Sequence, residues 1–242
     1  MAQPIAFERR IAQMANTAFS EEGLAGRRAG MAQLRGSVDS AVRQGGGSRE
    51  GAAEALDKML ASGAIKTGDA MRLLPVLQKF ATASGASSAD LSDIAIRGIQ
   101  QGFFKPEQVE QALDKALVAG QMGGFELKDM ARWLPQMMAN AAGMKSMGGY
   151  ERILASAQAS AVTAGTKDQA GNNLVNLLQK LNSQDSAQDF KKLGIDLSGT
   201  LAKARENGTL PLDAFVQLID TQVVGKDKKF LALTARAAQA QG

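Results

Sequence analysis

The chain contains neither cysteine nor histidine. Without cysteine there is no disulfide framework and no mark of an oxidising compartment. Without both, thiolate-imidazole zinc sites, Ser-His-Asp and Cys-His nucleophilic machinery and HExxH metalloprotease helices are excluded. Carboxylate pairs and a Ser-Lys pair are what remain for catalysis. Asp57, Asp114, Asp129 and Glu151 lie on polar helix faces or near helix starts, where the helix dipole favours acids in any case. They read as solvated faces, and the sequence assigns no catalytic, cofactor-binding or metal-binding residue.

Aromatic residues are scarce as well, at 5% of 242 residues, so a core must be built from Leu, Ile, Val, Met and Ala. That palette favours helices. Charge of one sign is not concentrated: 28 basic and 24 acidic residues give a net +4. With no basic stripe interleaved with aromatics, the sequence shows no specific nucleic-acid site. Long apolar runs are also missing. The longest uncharged stretches, Trp133 to Met144 and Ile153 to Thr166, are too short and too rich in Ala, Ser, Asn or Gln to cross a bilayer. The N-terminus meets Glu8 before any apolar region develops, unlike a secretory signal.

Glycine, by contrast, is plentiful, and it punctuates a series of helical patterns. Pro4 to Phe19 places Ile5, Ile11, Met14, Ala15 and Ala18 roughly on one face. A helix expected over about Glu21 to Val42 is interrupted by Gly23, Gly26, Gly30 and Gly36, so it is either insecure or packed unusually close to a neighbour. Gly45 to Gly47 in "RQGGGSRE" read as a flexible hinge. They lack the Lys-Ser/Thr and the preceding strand that a phosphate-binding loop requires. Ser48, Thr67 and Ser88 then open helices that close at Gly63, Gly85 and Gly102, and Pro106 begins the next.

The series repeats. Ala55-Leu56-Asp57-Lys58 recurs at Ala112-Leu113-Asp114-Lys115, an offset of 57, and Asp69, Arg72, Leu74 and Pro75 recur at Asp129, Arg132, Leu134 and Pro135, an offset of 60. Three extra residues in "GQMGGFE" reconcile the two, so a three-helix unit is duplicated. Pro75 and Pro135 fall beyond the first turn of their expected helices, where a proline removes a hydrogen bond and costs about 3 kcal/mol unless the helix kinks. Both are expected as structural kinks. Around the single tryptophan, Trp133, gather Met130, Met137, Met138 and Met144. They are either gap fillers in an alanine-rich core or an adaptable partner surface.

From about residue 85 to 225, a further set of elements follows in order. "GFELKDMARWLPQMMANAAGM" leads through a Gly143-Met144 turn to a helix ending in Ala164-Gly165-Thr166. A helix opening on Gln169-Ala170-Gly171 and carrying Leu174, Leu177-Leu178 and Leu181 comes next, and then Leu193-Gly194-Ile195-Asp196. This succession resembles the core region of phage tail tape measure proteins of the lactococcal-siphophage type. The resemblance implies a structural protein that sets tail length and takes part in tail assembly. Its implied partners are the tail tube protein, tail assembly chaperones and tail tip or baseplate proteins, with self-association. Its implied location is the lumen of the virion tail, and the host cytoplasm during assembly. It implies no enzyme activity and no cofactor. Members of that family are usually far longer, with coiled-coil stretches and hydrophobic segments, so the chain is expected to be a fragment or a short member.

The expected fold is all-α, an array of about a dozen helices containing the duplicated unit. Its expected parts are a helical arm and hinge over 1–47, two related three-helix repeats over 48–164, and a divergent C-terminal unit over 165–242 that ends in a helix from about Lys226 to Ala240. The alternative function is a stand-alone helical adaptor for a cytoplasmic partner. A tail-borne cell-wall hydrolase is the remote third reading.

Overall fold

The computed structural model of the chain describes residues 2–224, with side chains from Ile5 onward. The expected helix at Lys226 to Ala240 lies outside the described residues. Those residues form thirteen α-helices and no strand. They divide into two compact units, the first reaching Ala139 and resuming over Lys145–Val175, the second made of Asn140–Met144 and the residues from Asn176.

The first unit opens with α1 (Ala2–Ala18) and α2 (Leu24–Gly45). α3 (Arg49–Ala61), α4 (Thr67–Ser84) and α5 (Ser88–Gln101) form the first three-helix set. Their ends are chemically specified. The Ser48 hydroxyl accepts the Gly51 N–H at the head of α3, and Ser87 does the same for Asp90 at the head of α5. α4 and α5 close on left-handed glycines, Gly85 at φ 74° and Gly102 at φ 77°. α2 lies along α4, α3 along α5, and α1 against both α2 and α3. Leu34, Val38, Leu56, Met59, Leu74 and Leu91, from four different helices, are wholly buried in this core.

The first helix inserts a face shifted from the expected one. Phe7, Ile11, Met14 and Ala15 are buried, while Ile5 is 67% exposed. The Arg49 guanidinium covers the Phe7 ring at 4.5 Å and pairs with Asp39 at 2.7 Å. Of the four glycines named above, Gly30 takes the second of the two readings, while Gly23 and Gly36 have no neighbour within 4 Å of a Cβ. A Cβ on Gly30 would overlap the Phe19 ring, and one on Gly45 would come within 2.6 Å of the Lys79 backbone nitrogen.

The expected hinge at Gly45–Gly47 is a packed turn. Gly45 ends α2 and is buried, and Thr82 donates to its carbonyl at 2.5 Å. The buried Gln78 amide spans the turn, its nitrogen 3.3 Å from the Gly46 carbonyl and its oxygen 3.1 Å from the Ala52 N–H. Glycine is needed here because Gly46 and Gly47 both take positive φ and the turn runs hard against α4. Residues 1–47 are therefore not a hinged arm: their helices pack on α3 and α4.

A 3₁₀ turn at Pro106–Gln108 leads into α6 (Val109–Gly123), the counterpart of α3. The counterpart of α4 is broken in two: α7 (Leu127–Met130) and α8 (Leu134–Asn140). Between them the Trp133 N–H bonds to the Met130 carbonyl in a tighter turn, and the Met137 N–H restarts the ladder on the Trp133 carbonyl. Pro135 is therefore the second residue of a new helix and not a kink within a long one. A missing N–H is harmless there. Pro75, in contrast, sits inside an unbroken α4. The Met71 carbonyl, which a non-proline residue 75 would have served, faces the Ser37 hydroxyl of α2 at 3.5 Å. α9 (Met147–Thr163) packs on α6 as α5 does on α3, and Lys115 pairs with Glu151 at 2.8 Å between them.

α10 (Lys167–Lys180) begins in the first unit and ends in the second, which continues through α11 (Gln184–Lys192), α12 (Leu197–Glu206) and α13 (Pro211–Leu218). A turn of π-helix, Ile219–Val223, extends α13. Ile195, Leu197, Leu201, Ala214 and Leu218 form a core cluster in this unit, flanked by Phe190 and Phe215.

Candidate interaction surface

The methionines take the first of the two readings given above, as core residues. Met130, Met137, Met138 and Met144 are each at most 1% exposed. An unbranched thioether fills the irregular gaps that a short, interrupted helix such as α7–α8 leaves behind. Of the methionines in this stretch, Met122 is the one that points outward, at 84% exposure.

Trp133 is half-buried and engaged within its own unit. Its ring lies over Gly171 of α10, where a Cβ would overlap the indole, and its Nε1–H donates to Asp168 Oδ1 at 3.2 Å. The short motif that precedes this contact also has a physical reading. The Thr166 hydroxyl accepts the Gln169 N–H at 3.1 Å, and Gln169 Oε1 reaches back to the Gly165 N–H at 3.0 Å, a reciprocal arrangement that starts α10. Ala170 is wholly buried, and its carbonyl accepts from Ser160 of α9 at 2.9 Å. Thr, Gln, Ala and Gly at 166, 169, 170 and 171 thus serve helix initiation, close helix approach and a seat for the tryptophan.

Nearby, Gln158 of α9 clamps the loop before α7. Its Oε1 accepts the Phe125 N–H and its Nε2 donates to the Phe125 carbonyl, both at 2.9 Å. Gly123 leaves room for that side chain. Sequence reading passed over Gln158, because a single glutamine within an Ala-Ser helix carries no local signal.

In the second unit, Leu193-Gly194-Ile195-Asp196 is a helix-to-helix joint. Gly194 takes φ 76°, the Ile195 N–H returns to the Phe190 carbonyl at 3.0 Å, and Asp196 Oδ1 caps α12 through the Gly199 N–H at 2.9 Å. Two open grooves of about 540 and 590 Å³ flank this joint. The first is bordered by Asp196, Thr200, Lys203, Asn207 and Gln217, with Ile195 and Leu218 also lining it.

The outward apolar residues are few and dispersed. Val118 and Met122 stand one turn apart on α6, Val162 is on α9, and Leu193 and Val216 belong to the second unit. The apolar arc of α6 is wider than the face it buries, so sequence spacing alone could not separate Val118 from its core neighbours.

Among the described residues, no three acidic side chains gather closely enough to hold a metal ion. Burial raises the Asp57 carboxyl above its usual range, an effect that Arg10 opposes and Glu54 assists. Burial also pushes the Tyr150 hydroxyl well above the ordinary tyrosine range. Among the described residues, no helix is long and apolar enough to cross a membrane.

The family model of phage-related minor tail proteins matches residues 39–241. The chain belongs to that family. Its members are components of the virion tail, and the fold described above is therefore that of a tail protein. The chain is also similar to a protein of Burkholderia phage BcepMu described as "Probable tape measure protein", with 29% identity over 170 residues. The match covers 69% of this chain and 20% of that protein, so the chain spans about a fifth of its relative's length. No solved structure matches.

Proposed function

We propose that this chain is a core-domain segment of a tail tape measure protein, a structural element of tail assembly and tail-length determination that catalyses no reaction. The observation that carries the reading is the similarity to the BcepMu protein over 170 residues, beside the family match over residues 39–241. Its place on this reading is the tail lumen, after assembly in the host cytoplasm. Its partners are the tube subunit, the assembly chaperones and the proteins of the tail tip.

The fold bears on how such a segment could contribute. Drawn out as one helix, 242 residues would span about 360 Å at 1.5 Å per residue. Among the described residues the chain is instead divided into thirteen helices, none longer than the 22 residues of α2. On this reading the segment is attached to the ruler, and its contribution to length depends on whether it is extended in the tube.

Negative-stain electron microscopy of phage carrying in-frame deletions in this segment tests the reading. Tails shortened in proportion to the residues removed, near 1.5 Å per residue, are the expected result for an extended segment. Tails of normal length with the whole segment removed would overturn the length-setting role.

A further inference from the structure

We propose that the exposed face of α6 is a docking site for a basic amphipathic helix of another protein, seated there as α1 is seated on α3. The inference rests on the duplication within the first unit and is independent of the tape measure reading.

The two copies of the duplicated helix keep the same inner packing. Lys58 of α3 reaches Asp93 of α5 at 2.6 Å, and its counterpart Lys115 of α6 reaches Glu151 of α9 at 2.8 Å. Ala52, Ala55, Leu56 and Met59 of α3 are wholly buried, and so are the matching Val109, Ala112, Leu113 and Ala116 of α6. The two helices thus bury equivalent faces.

A neighbouring face differs. On α3, Arg49, Ala53 and Asp57 follow at four-residue spacing along one side of the helix. α1 lies on that side: the Phe7 ring is under the Arg49 guanidinium at 4.5 Å, and Arg10 is close enough to act on the Asp57 carboxylate. Ala53, between those two contacts, is wholly buried, and Leu60 is 7% exposed. Their counterparts on α6 have no such cover. Glu110 and Asp114, which match Ala53 and Asp57, are exposed, and Leu117, which matches Leu60, is only half-buried. Val118 and Met122 continue this side of α6 at 43% and 84% exposure. A groove of about 310 Å³ runs beside it, between Leu117 and Gln121 of α6 and Ala83 and Ser84 of α4.

The chemistry of the face sets the occupant. Among the described residues, neither Glu110 nor Asp114 takes part in an ion pair. One end of the face therefore calls for cations and the other, at Val118 and Met122, for apolar side chains. α1 already carries that combination, with Arg10 beside the buried Phe7, Ile11 and Met14. Because Glu110 stands where α3 has Ala53, the helix that fits α6 is more basic than α1.

Fluorescence anisotropy tests the proposal, with the full chain titrated into a labelled peptide of residues 2–20 that carries Glu8→Lys. In the chain Glu8 pairs with Arg35 of α2, a contact that α6 does not offer, so the change makes the peptide more basic without loss to the docked face. Saturable binding that weakens with added salt is expected. The double change Glu110→Lys and Asp114→Lys should weaken it about tenfold or more, and so should Met122→Glu, whereas Glu206→Lys in the second unit should leave it unchanged. All of these side chains are exposed, and an unaltered urea midpoint for each variant checks that the fold is kept. No saturable binding, or binding that the α6 changes weaken no more than Glu206→Lys does, would overturn the proposal. So would dimerisation of the chain alone that Met122→Glu abolishes, because the face would then belong to a second copy. Tail length is not read in this assay, so failure here and failure of the tape measure reading can be told apart.

Discussion

Gly98 sits inside α5, and its replacement by alanine would ordinarily gain up to about 1 kcal/mol of helix propensity. The structure reverses that expectation. A Cβ at this position would overlap three atoms of the Phe104 ring. Phe104 is 4% exposed, and it meets the wholly buried Tyr150 edge to face, with ring centroids 5.4 Å apart and planes at 80°. The ring cannot turn aside without moving a second buried ring. Overpacking of this kind costs about 1–3 kcal/mol, and loss of the aromatic geometry about 0.5–1.5 more. Gly98→Ala is therefore expected to destabilise by about 1–3 kcal/mol after the propensity gain. Gly36 is the control. It is exposed on α2 and a Cβ there would touch nothing within 4 Å, so Gly36→Ala should stabilise by up to about 1 kcal/mol. Trp133 is the single tryptophan and lies in the first unit, so its fluorescence during urea unfolding reports the loss of packing there. A Gly98→Ala variant as stable as the parent would refute the claim that Phe104 selects the glycine.

Two further stability changes follow. The Tyr150 hydroxyl is fully buried and has no hydrogen-bond partner, so Tyr150→Phe should stabilise the first unit by about 1 kcal/mol; a loss of that size would mean that the hydroxyl is satisfied. The raised Asp57 carboxyl makes a contribution that is fully present below the unfolded value of about pH 4 and lost as pH rises through the higher folded value. Asp57→Asn should accordingly raise the urea midpoint at pH 7 and have little effect at pH 3.5, and the reverse pattern would refute the desolvation argument.

Much of the helix punctuation was legible because it is local chemistry. Ser48 caps α3 through its own hydroxyl, and Gly85 and Gly102 end helices because they alone tolerate the left-handed turn. The duplicated Ala-Leu-Asp-Lys falls within α3 and again within α6. Other features could not be read locally. Three glycines in a row suggest a hinge until Thr82 and Gln78, more than thirty residues on, are seen to close over them. Pro135 suggests a kink until the Trp133 turn places it at a helix start. Met130, Met137 and Met138 have the spacing of a stripe, and spacing cannot say whether a stripe faces a neighbour or the solvent.

The sequence by itself determined that the chain is helical, where several of its helices begin and end, that Ala-Leu-Asp-Lys recurs in two of them, and to which family of tail proteins it is akin. These depend on capping groups, backbone freedom and residue order, which act within a few positions of one another. Only the tertiary structure decided that the N-terminal helices belong to the core, that the methionines are buried, and that Trp133 is seated on Gly171. Burial is a property of what packs against a side chain, and those partners lie tens of residues away.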